Sequence, residues 1–171
     1  VQREFSDPNF RVYTNDDVVG VELGGALKNI IAIAAGVCVG LELGTNTIAA
    51  LMTRGLAEIT RLAVACGGRR ETLAGLAGMG DLVLTATGSL SRNRTLGVAL
   101  GGGQSFDDYR RSHRTVAEGV NAARAGAALG SRHGVELPIV EQVCEVLFGG
   151  RPPRDSVAEL MGRELKPEQW R

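Results

Sequence analysis

One long apolar segment constrains the fold of this chain more than any other feature. Between residues 21 and 41 only Glu22, Lys28 and Asn29 are polar, and Ala and Gly fill most of the gaps between larger apolar residues. Those larger residues recur every three or four positions, which is the periodicity of an α-helix. A helix that is apolar on almost all sides packs in the centre of a protein. Its charge-free run, residues 30–41, is too short to span a bilayer.

Helical periodicity and capping residues continue to the end of the chain, so the predicted fold class is all-α, with about seven helices. Phe10, Val12 and Tyr13 form a β-prone patch that ends in turn residues. No convincing second strand follows, and we expect an orphan strand whose sheet lies outside this chain. Further helices are predicted at residues 47–66 and 71–77, from a Ser89–Ser91 cap to residue 100, from a Thr115–Glu118 capping box to residue 133, at residues 138–148, and after a Ser156 cap.

Composition excludes several classes of protein. The 19 Lys and Arg residues balance 19 Asp and Glu residues, whereas nucleic-acid and membrane-surface proteins need a concentrated positive field. Three widely spaced cysteines and two separated histidines predict neither a disulfide framework nor a metal site. The charged first residues cannot form the apolar core of a signal peptide. We therefore predict a cytoplasmic protein that binds no nucleic acid and does not insert into a membrane.

Lys28 is one of only two lysines among the 19 basic residues. On a helix its neighbours one turn away include Gly24, Gly25 and Ala32, whose small side chains let a ligand or another backbone approach closely. Desolvation lowers the pKa of a lysine, and a lysine so perturbed accepts a proton near neutral pH. The alternative is a lysine that reaches solvent or pairs with a carboxylate. Both interpretations stay open.

Two further motifs carry chemistry. In Gly78-Met79-Gly80-Asp81 a lone acid follows two glycines, and it could pair with Lys28, orient a substrate hydroxyl or simply cap a helix. No third glycine completes a dinucleotide fingerprint there. Glycine is about twice as frequent as usual, and outside positions 24, 25, 78 and 80 the glycines are expected mostly to end helices.

The segment Ser91-Arg92-Asn93-Arg94 stands at a predicted helix start. Backbone N–H groups and the helix dipole favour an anion there, and an arginine adds a bidentate fork that suits a phosphate or a carboxylate. The alternative is a capped helix end with two surface arginines. Glu118 has its own structural explanation in the capping box with Thr115.

These same residues carry a family resemblance. The stretches at residues 20–36, 76–82, 89–94 and 116–120 resemble bacterial NAD(P)-dependent glycerol-3-phosphate dehydrogenases. The resemblance implies a C-terminal helical substrate domain at residues 21–171, like that of 6-phosphogluconate dehydrogenase. It also implies that residues 1–20 are the end of a nucleotide-binding domain with its linker. The implied reaction is hydride transfer between dihydroxyacetone phosphate and glycerol 3-phosphate, with NAD or NADP, for phospholipid synthesis.

The resemblance also implies roles for particular residues. Lys28 matches the catalytic lysine and Asp81 an acid near it. The substrate-binding triplet is matched by Ser91, Arg92 and Asn93, and the cofactor-binding positions by Arg92, Val116 and Glu118. Since the nucleotide-binding domain is lacking, the chain alone is expected to be inactive and to bind NAD(P)H weakly or not at all.

Two other interpretations remain from the sequence. The chain could be the C-terminal domain of another hydroxy-acid dehydrogenase, with Arg92 holding a carboxylate. It could instead be a non-catalytic helical module for dimerisation or partner binding, because its apolar helix would expose surface if a partner were missing. A homodimer is left open under either interpretation, as is the choice between NADH and NADPH.

Overall fold

The computed structural model describes residues 1–113, 115 and 117–164, and in this part of the chain the fold is all-α. A π-helical turn, Leu76–Gly80, joins two of the helices. The α-helices are α1 (Gln2–Phe5), α2 (Val18–Gly40), α3 (Gly44–Ala65), α4 (Arg70–Ala74), α5 (Asp81–Thr87), α6 (Arg92–Gly101), α7 (Phe106–Ser112), α8 (Glu118–His133), α9 (Pro138–Phe148) and α10 (Pro153–Met161).

The apolar segment forms the central helix, as predicted. α2 is contacted by α3, α4, α5, α6, α8 and α9, and Ile30, Ile31, Ala32 and Ala35 have no exposed surface. By length and composition alone α2 could cross a membrane, and the core helix of a water-soluble protein has the same composition. Within the described residues its surroundings are other helices of the same bundle.

Two mid-helix glycines let α2 and α6 touch backbone to backbone. A Cβ atom added at Gly36 would lie 2.9 Å from the Cα atom of Gly97 and 2.9 Å from the nitrogen of Val98, and would overlap the carbonyl oxygen of Arg94. Gly40 and Gly101 repeat the contact one turn further on. Gly36 and Gly97 are exceptions to the expectation that the remaining glycines mostly end helices, because their absent side chains set the distance between two helices.

Asp17 fixes the start of the central helix. Its carboxylate accepts hydrogen bonds from the backbone N–H of Gly20 at 2.9 Å and from that of Arg69 at 2.8 Å. The first of these bonds caps α2, and the second ties it to the segment before α4. The hydrogen bond from Gly20, with others from Thr72 and Arg69, holds the pKa of the Asp17 carboxyl below its usual value.

Several predicted details differ from the structure. The strand expected at residues 10–13 is not formed, because the described residues contain no strand that could pair with it. The helix predicted from residue 71 to residue 77 breaks at Gly75 and continues as the π-helical turn. Ser156 lies inside α10 rather than at its cap, since the helix already begins at Pro153. The predicted bounds of α9 are confirmed.

Glu58 of α3 caps α9 from another helix. It is only 2% exposed, and its carboxylate accepts hydrogen bonds from the backbone N–H of Ile139 at 2.9 Å and from that of Val140 at 3.4 Å. Both donors belong to the first turn of α9, where helical partners are lacking. Burial raises the pKa of Glu58 to about 7, although the two backbone donors act in the opposite direction.

This buried acid makes the stability depend on pH. Below its ordinary pKa of 4.5 Glu58 is protonated in both the folded and the unfolded chain. As the pH rises from 4.5 to 7, the unfolded chain loses this proton while the folded chain retains it, so the free energy of unfolding falls by up to about 3 kcal/mol. Urea denaturation between pH 4 and about 8 should show this fall for the wild type relative to Glu58→Gln. A pH-independent difference between the two proteins would contradict it.

Candidate active site

Lys28 and Asp81, which lie 53 positions apart in the sequence, form an ion pair. Their side chains are 19% and 33% exposed, so the pair is partly desolvated yet open to a ligand. Asp81 is the first residue of α5, and the N-cap position belongs to Gly80. The capping role considered for Asp81 is therefore not the one it has. Of the options raised by the sequence, pairing with Lys28 is the one that the structure shows.

The π-helical turn brings Asp81 to Lys28. A Cβ atom at Gly24 would lie 2.9 Å from the carbonyl oxygen of Ala77 in this turn, so glycine at this position allows α2 to pack against it. At the neighbouring Gly25 no atom lies within 4 Å of the position that a Cβ atom would take, so this flank of Lys28 is open. Thr85, one turn after Asp81, donates a hydrogen bond to its backbone oxygen at 2.6 Å. No sequence pattern singled out Thr85.

Arg92 and Glu118 form a second, more exposed ion pair. Arg92 is the first residue of α6, whose N-cap Ser91 accepts a hydrogen bond from the backbone N–H of Arg94 at 3.3 Å, as predicted. Glu118 is the first residue of α8, but Ala117 is the N-cap and makes no side-chain cap bond. The capping box with Thr115 is therefore wrong, and Glu118 is directed at Arg92 instead.

A chain of amide groups ties these two pairs together. The backbone N–H of Gly119 donates to Asn93 Oδ1 at 2.9 Å, and Asn93 Nδ2 donates to Asn29 Oδ1 at 2.9 Å. A backbone N–H can only donate, so this bond fixes the orientation of the Asn93 amide. We call these three residues, Asn29, Asn93 and Gly119, the amide brace. They belong to α2, α6 and α8.

Each member of the amide brace directly follows a predicted site residue. Lys28 precedes Asn29, Arg92 precedes Asn93, and Glu118 precedes Gly119. A Cβ atom at Gly119 would lie 2.7 Å from Asn93 Oδ1, so only glycine leaves room for the contact. The brace therefore holds Lys28, Arg92 and Glu118 in a common frame. In the sequence Asn29 stood out only as an adjacent amide and Gly119 was missed, because bonds between distant residues leave no periodic signal.

The predicted site residues have different roles in the structure. Lys28 pairs with Asp81, Arg92 pairs with Glu118, and Ser91 caps the start of α6. Asn93 is only 4% exposed and both ends of its amide are engaged, so its side chain is a brace. Val116 lies outside the described residues. Among the described residues no group of three or more His, Cys, Asp or Glu side chains could hold a metal ion.

The geometry defines what the site can do. A partly buried ammonium beside a carboxylate can exchange a proton with a bound hydroxyl or carbonyl oxygen. An arginine at a helix start, held by an exposed carboxylate, can exchange that partner for an anionic ligand that offers better hydrogen bonds. Together these groups suit a small molecule that carries an anion and a reacting oxygen.

Comparisons with known proteins agree with one another. Residues 17–158 match the family described as NAD-dependent glycerol-3-phosphate dehydrogenase C-terminus. The chain is 63% identical over 171 residues to a glycerol-3-phosphate dehydrogenase [NAD(P)+] of Koribacter versatilis, covering 99% of this chain and 51% of the relative. It is 61% identical to the enzyme of the same name from Geobacter sulfurreducens, again covering 51% of it.

Solved structures give the same result. The glycerol-3-phosphate dehydrogenase of Coxiella burnetii superposes with a TM-score of 0.89 at 46% identity, over 95% of this chain and 50% of that one. The enzyme of Saccharomyces cerevisiae gives a TM-score of 0.83 at 26% identity, over 95% of this chain and 47% of that one. The chain thus spans about half the length of the relatives it matches.

Proposed function

The chain belongs to the family of NAD-dependent glycerol-3-phosphate dehydrogenase C-terminal domains, and on that premise we propose that it forms the substrate half of such an enzyme. The enzyme would interconvert dihydroxyacetone phosphate and glycerol 3-phosphate by hydride transfer and so feed phospholipid synthesis. The observation that carries this proposal is the Lys28–Asp81 ion pair, held by the amide brace in one frame with Arg92.

Lys28 is the proposed proton-transfer group. In reduction, its ammonium donates a proton to the C2 carbonyl oxygen of dihydroxyacetone phosphate as that carbon gains a hydride. In oxidation, its amine accepts the proton of the C2 hydroxyl. Asp81 orients the ammonium through the ion pair and, being 33% exposed, is also open to a substrate hydroxyl. The nicotinamide of the cofactor, when bound, supplies or accepts the hydride.

Arg92 is the proposed phosphate-binding group. It leaves Glu118 for the substrate phosphate, which it can meet with two parallel N–H donors. Ser91 and the first backbone N–H groups of α6 lie beside it and favour the same anion. Asn93 contributes through the brace, by fixing the position of Arg92. Glu118, Val116 and Arg92 are proposed to border the nicotinamide.

The cofactor, NAD or NADP, is proposed to bind mainly to a nucleotide-binding domain outside the described residues, because this chain has no dinucleotide fingerprint. Residues 1–20 are assigned to the end of that domain and its linker, and residues 21–171 to the substrate domain. We also propose a cytoplasmic location without membrane insertion. A homodimer is the assembly to be tested, by analytical ultracentrifugation.

The proposal is tested by completing the enzyme. The chain would be joined to the N-terminal half of the Koribacter versatilis relative, to which it is 63% identical over their shared half. Oxidation of NADH and NADPH would be followed with dihydroxyacetone phosphate and, separately, with 2-oxo acids that carry a carboxylate. Turnover of dihydroxyacetone phosphate by the chimera, and none by the chain alone, is expected. Turnover of only the 2-oxo acids would replace the proposal with another hydroxy-acid dehydrogenase.

Replacing Arg92 by Gln in the chimera tests the phosphate role. Hydrogen bonds to a charged group contribute about 1.5–3 kcal/mol, so kcat/KM for dihydroxyacetone phosphate should fall by about 10–100-fold. Arg132→Gln is the matched control, because it removes an exposed arginine to which no role is assigned. A loss for Arg92→Gln no larger than that for Arg132→Gln would contradict the assignment.

A further inference from the structure

A cationic cleft lies away from the candidate active site. It has a volume of about 920 Å³ and is partly open to solvent, and it is bordered by α7, the first turns of α8, the end of α9 and the two glycine-containing loops that follow α6 and α9. Such a volume is in the range of small-molecule sites. Arg124 is six positions after Glu118 on α8, which at about 100° per residue places it on a different side of the helix. The cleft is therefore separate from the Arg92–Glu118 pair.

The cleft collects positive charge in a chain of zero net charge. Its lining includes Arg110, Arg124 and Arg151 against a single acid, Asp107. Arg151 also pairs with Glu159 at 3.3 Å. Within the described residues Arg110 and Arg124 have no carboxylate within 4.0 Å, whereas Arg69, Arg92, Arg111 and Arg163 each have one.

Aromatic rings hold the two unpaired guanidinium groups. The central carbon of Arg124 lies 3.9 Å from the centre of the Phe148 ring, and that of Arg110 lies 5.8 Å from the centre of the Phe106 ring. The two rings pack edge to face with centroids 6.1 Å apart. Both distances are within the range of cation–π contacts, which do not consume the N–H donors of a guanidinium. Each arginine therefore keeps donors that suit the oxygens of an anion.

We propose that this cleft binds a small molecule through a phosphate group. Arg124 and Arg110 donate to the phosphate oxygens from fixed positions over the phenyl rings, which lowers the entropy lost on binding. The amides of Gln104 and Asn121, which also line the cleft, add neutral donors. Asp107 accepts from a hydroxyl group of the ligand. The shared chemistry fits either free phosphate or a phosphate ester.

The test is an NMR titration of the ¹⁵N-labelled chain with inorganic phosphate and, in parallel, with phenyl phosphate. Saturable shifts of the Gly103 and Gly150 amides report the cleft, and those of Asn93 and Gly119 report the region around Arg92. We expect Arg124→Gln to weaken binding at the cleft amides by about tenfold or more. The control, Arg132→Gln, changes an exposed arginine near the end of the same helix and should leave binding unchanged.

The two probes assign the source of the phosphate. Tighter binding of phenyl phosphate indicates an ester whose organic part contacts the aromatic walls, and equal binding indicates free phosphate; both support the proposal. Three results overturn the proposal: shifts that stay linear with phosphate concentration, shifts confined to Asn93 and Gly119, and an equal loss of affinity in Arg124→Gln and Arg132→Gln. The proposal is also wrong if the shifts at the cleft depend on protein concentration instead of phosphate concentration, because a second copy of the chain then covers the cleft.

Discussion

Replacing Lys28 by Ala in the completed enzyme lowers kcat for dihydroxyacetone phosphate by about 10²–10⁴-fold, the usual contribution of a positioned acid or base. The loss should fall mainly on kcat, because the proposed phosphate-binding group, Arg92 at the start of α6, is unchanged. Asp81 loses its ion-pair partner but remains partly exposed to water, so the folded structure should tolerate the change. Initial rates over a range of substrate concentrations measure the effect, and thermal unfolding checks the fold.

Lys28→Arg separates proton transfer from charge. An arginine can keep the ion pair with Asp81, but it does not release its proton near neutral pH. If Lys28 transfers the proton, the arginine variant is nearly as slow as the alanine variant. The catalytic assignment would be refuted if Lys28→Ala kept kcat within about threefold of the wild-type value. Such a loss is well below the contribution expected of a catalytic acid or base.

Replacing Gly36 by Ala destabilises the chain by about 3 kcal/mol or more, at the upper end of overpacking effects. The added methyl group would sit 2.9 Å from the Cα atom of Gly97 and would overlap the carbonyl oxygen of Arg94. These are backbone atoms, so no side-chain rotation makes room and α2 must separate from α6. At about 2–4 °C per kcal/mol, the melting temperature should fall by roughly 6–12 °C.

Gly25→Ala is the control on the same helix. No atom lies within 4 Å of the position its Cβ would take, and alanine is favoured over glycine in a helix by about 0.5–1 kcal/mol. The same glycine-to-alanine change is therefore expected to stabilise the chain at position 25 and to destabilise it at position 36. Two similar melting temperatures would show that close contact between α2 and α6 is not important for stability.

Local signals in the sequence predicted much of the fold. These signals involve only residues that are close together in the sequence. The apolar run of α2 predicted a central helix, and the proline at the start of α9 and the glycines after it predicted the correct bounds of α9. Signals that fit two local structures were less reliable. Thr115 and Glu118 have capping-box spacing, yet the contact with Arg92 prevailed.

Site residues could be predicted from the sequence where the chemistry of a side chain requires a particular partner. They could not be predicted where their contacts depend on how the helices pack. A lone lysine in an apolar helix needs a partner, which made Asp81 a candidate from the sequence alone. Asn29 and Asn93 are 64 positions apart, and their bond depends on how α2 and α6 cross. That crossing depends in turn on the absence of side chains at Gly36 and Gly97, which no local pattern reveals.

The amide brace has a consequence for the way in which this domain can evolve. Asn93 is bonded on both sides, so a change at position 29 alters what position 93 must satisfy, and a change at position 93 leaves the N–H of residue 119 without an acceptor. Mutational effects at these three positions are therefore non-additive. A substitution at one of the three positions is then tolerated only with suitable residues at the other two.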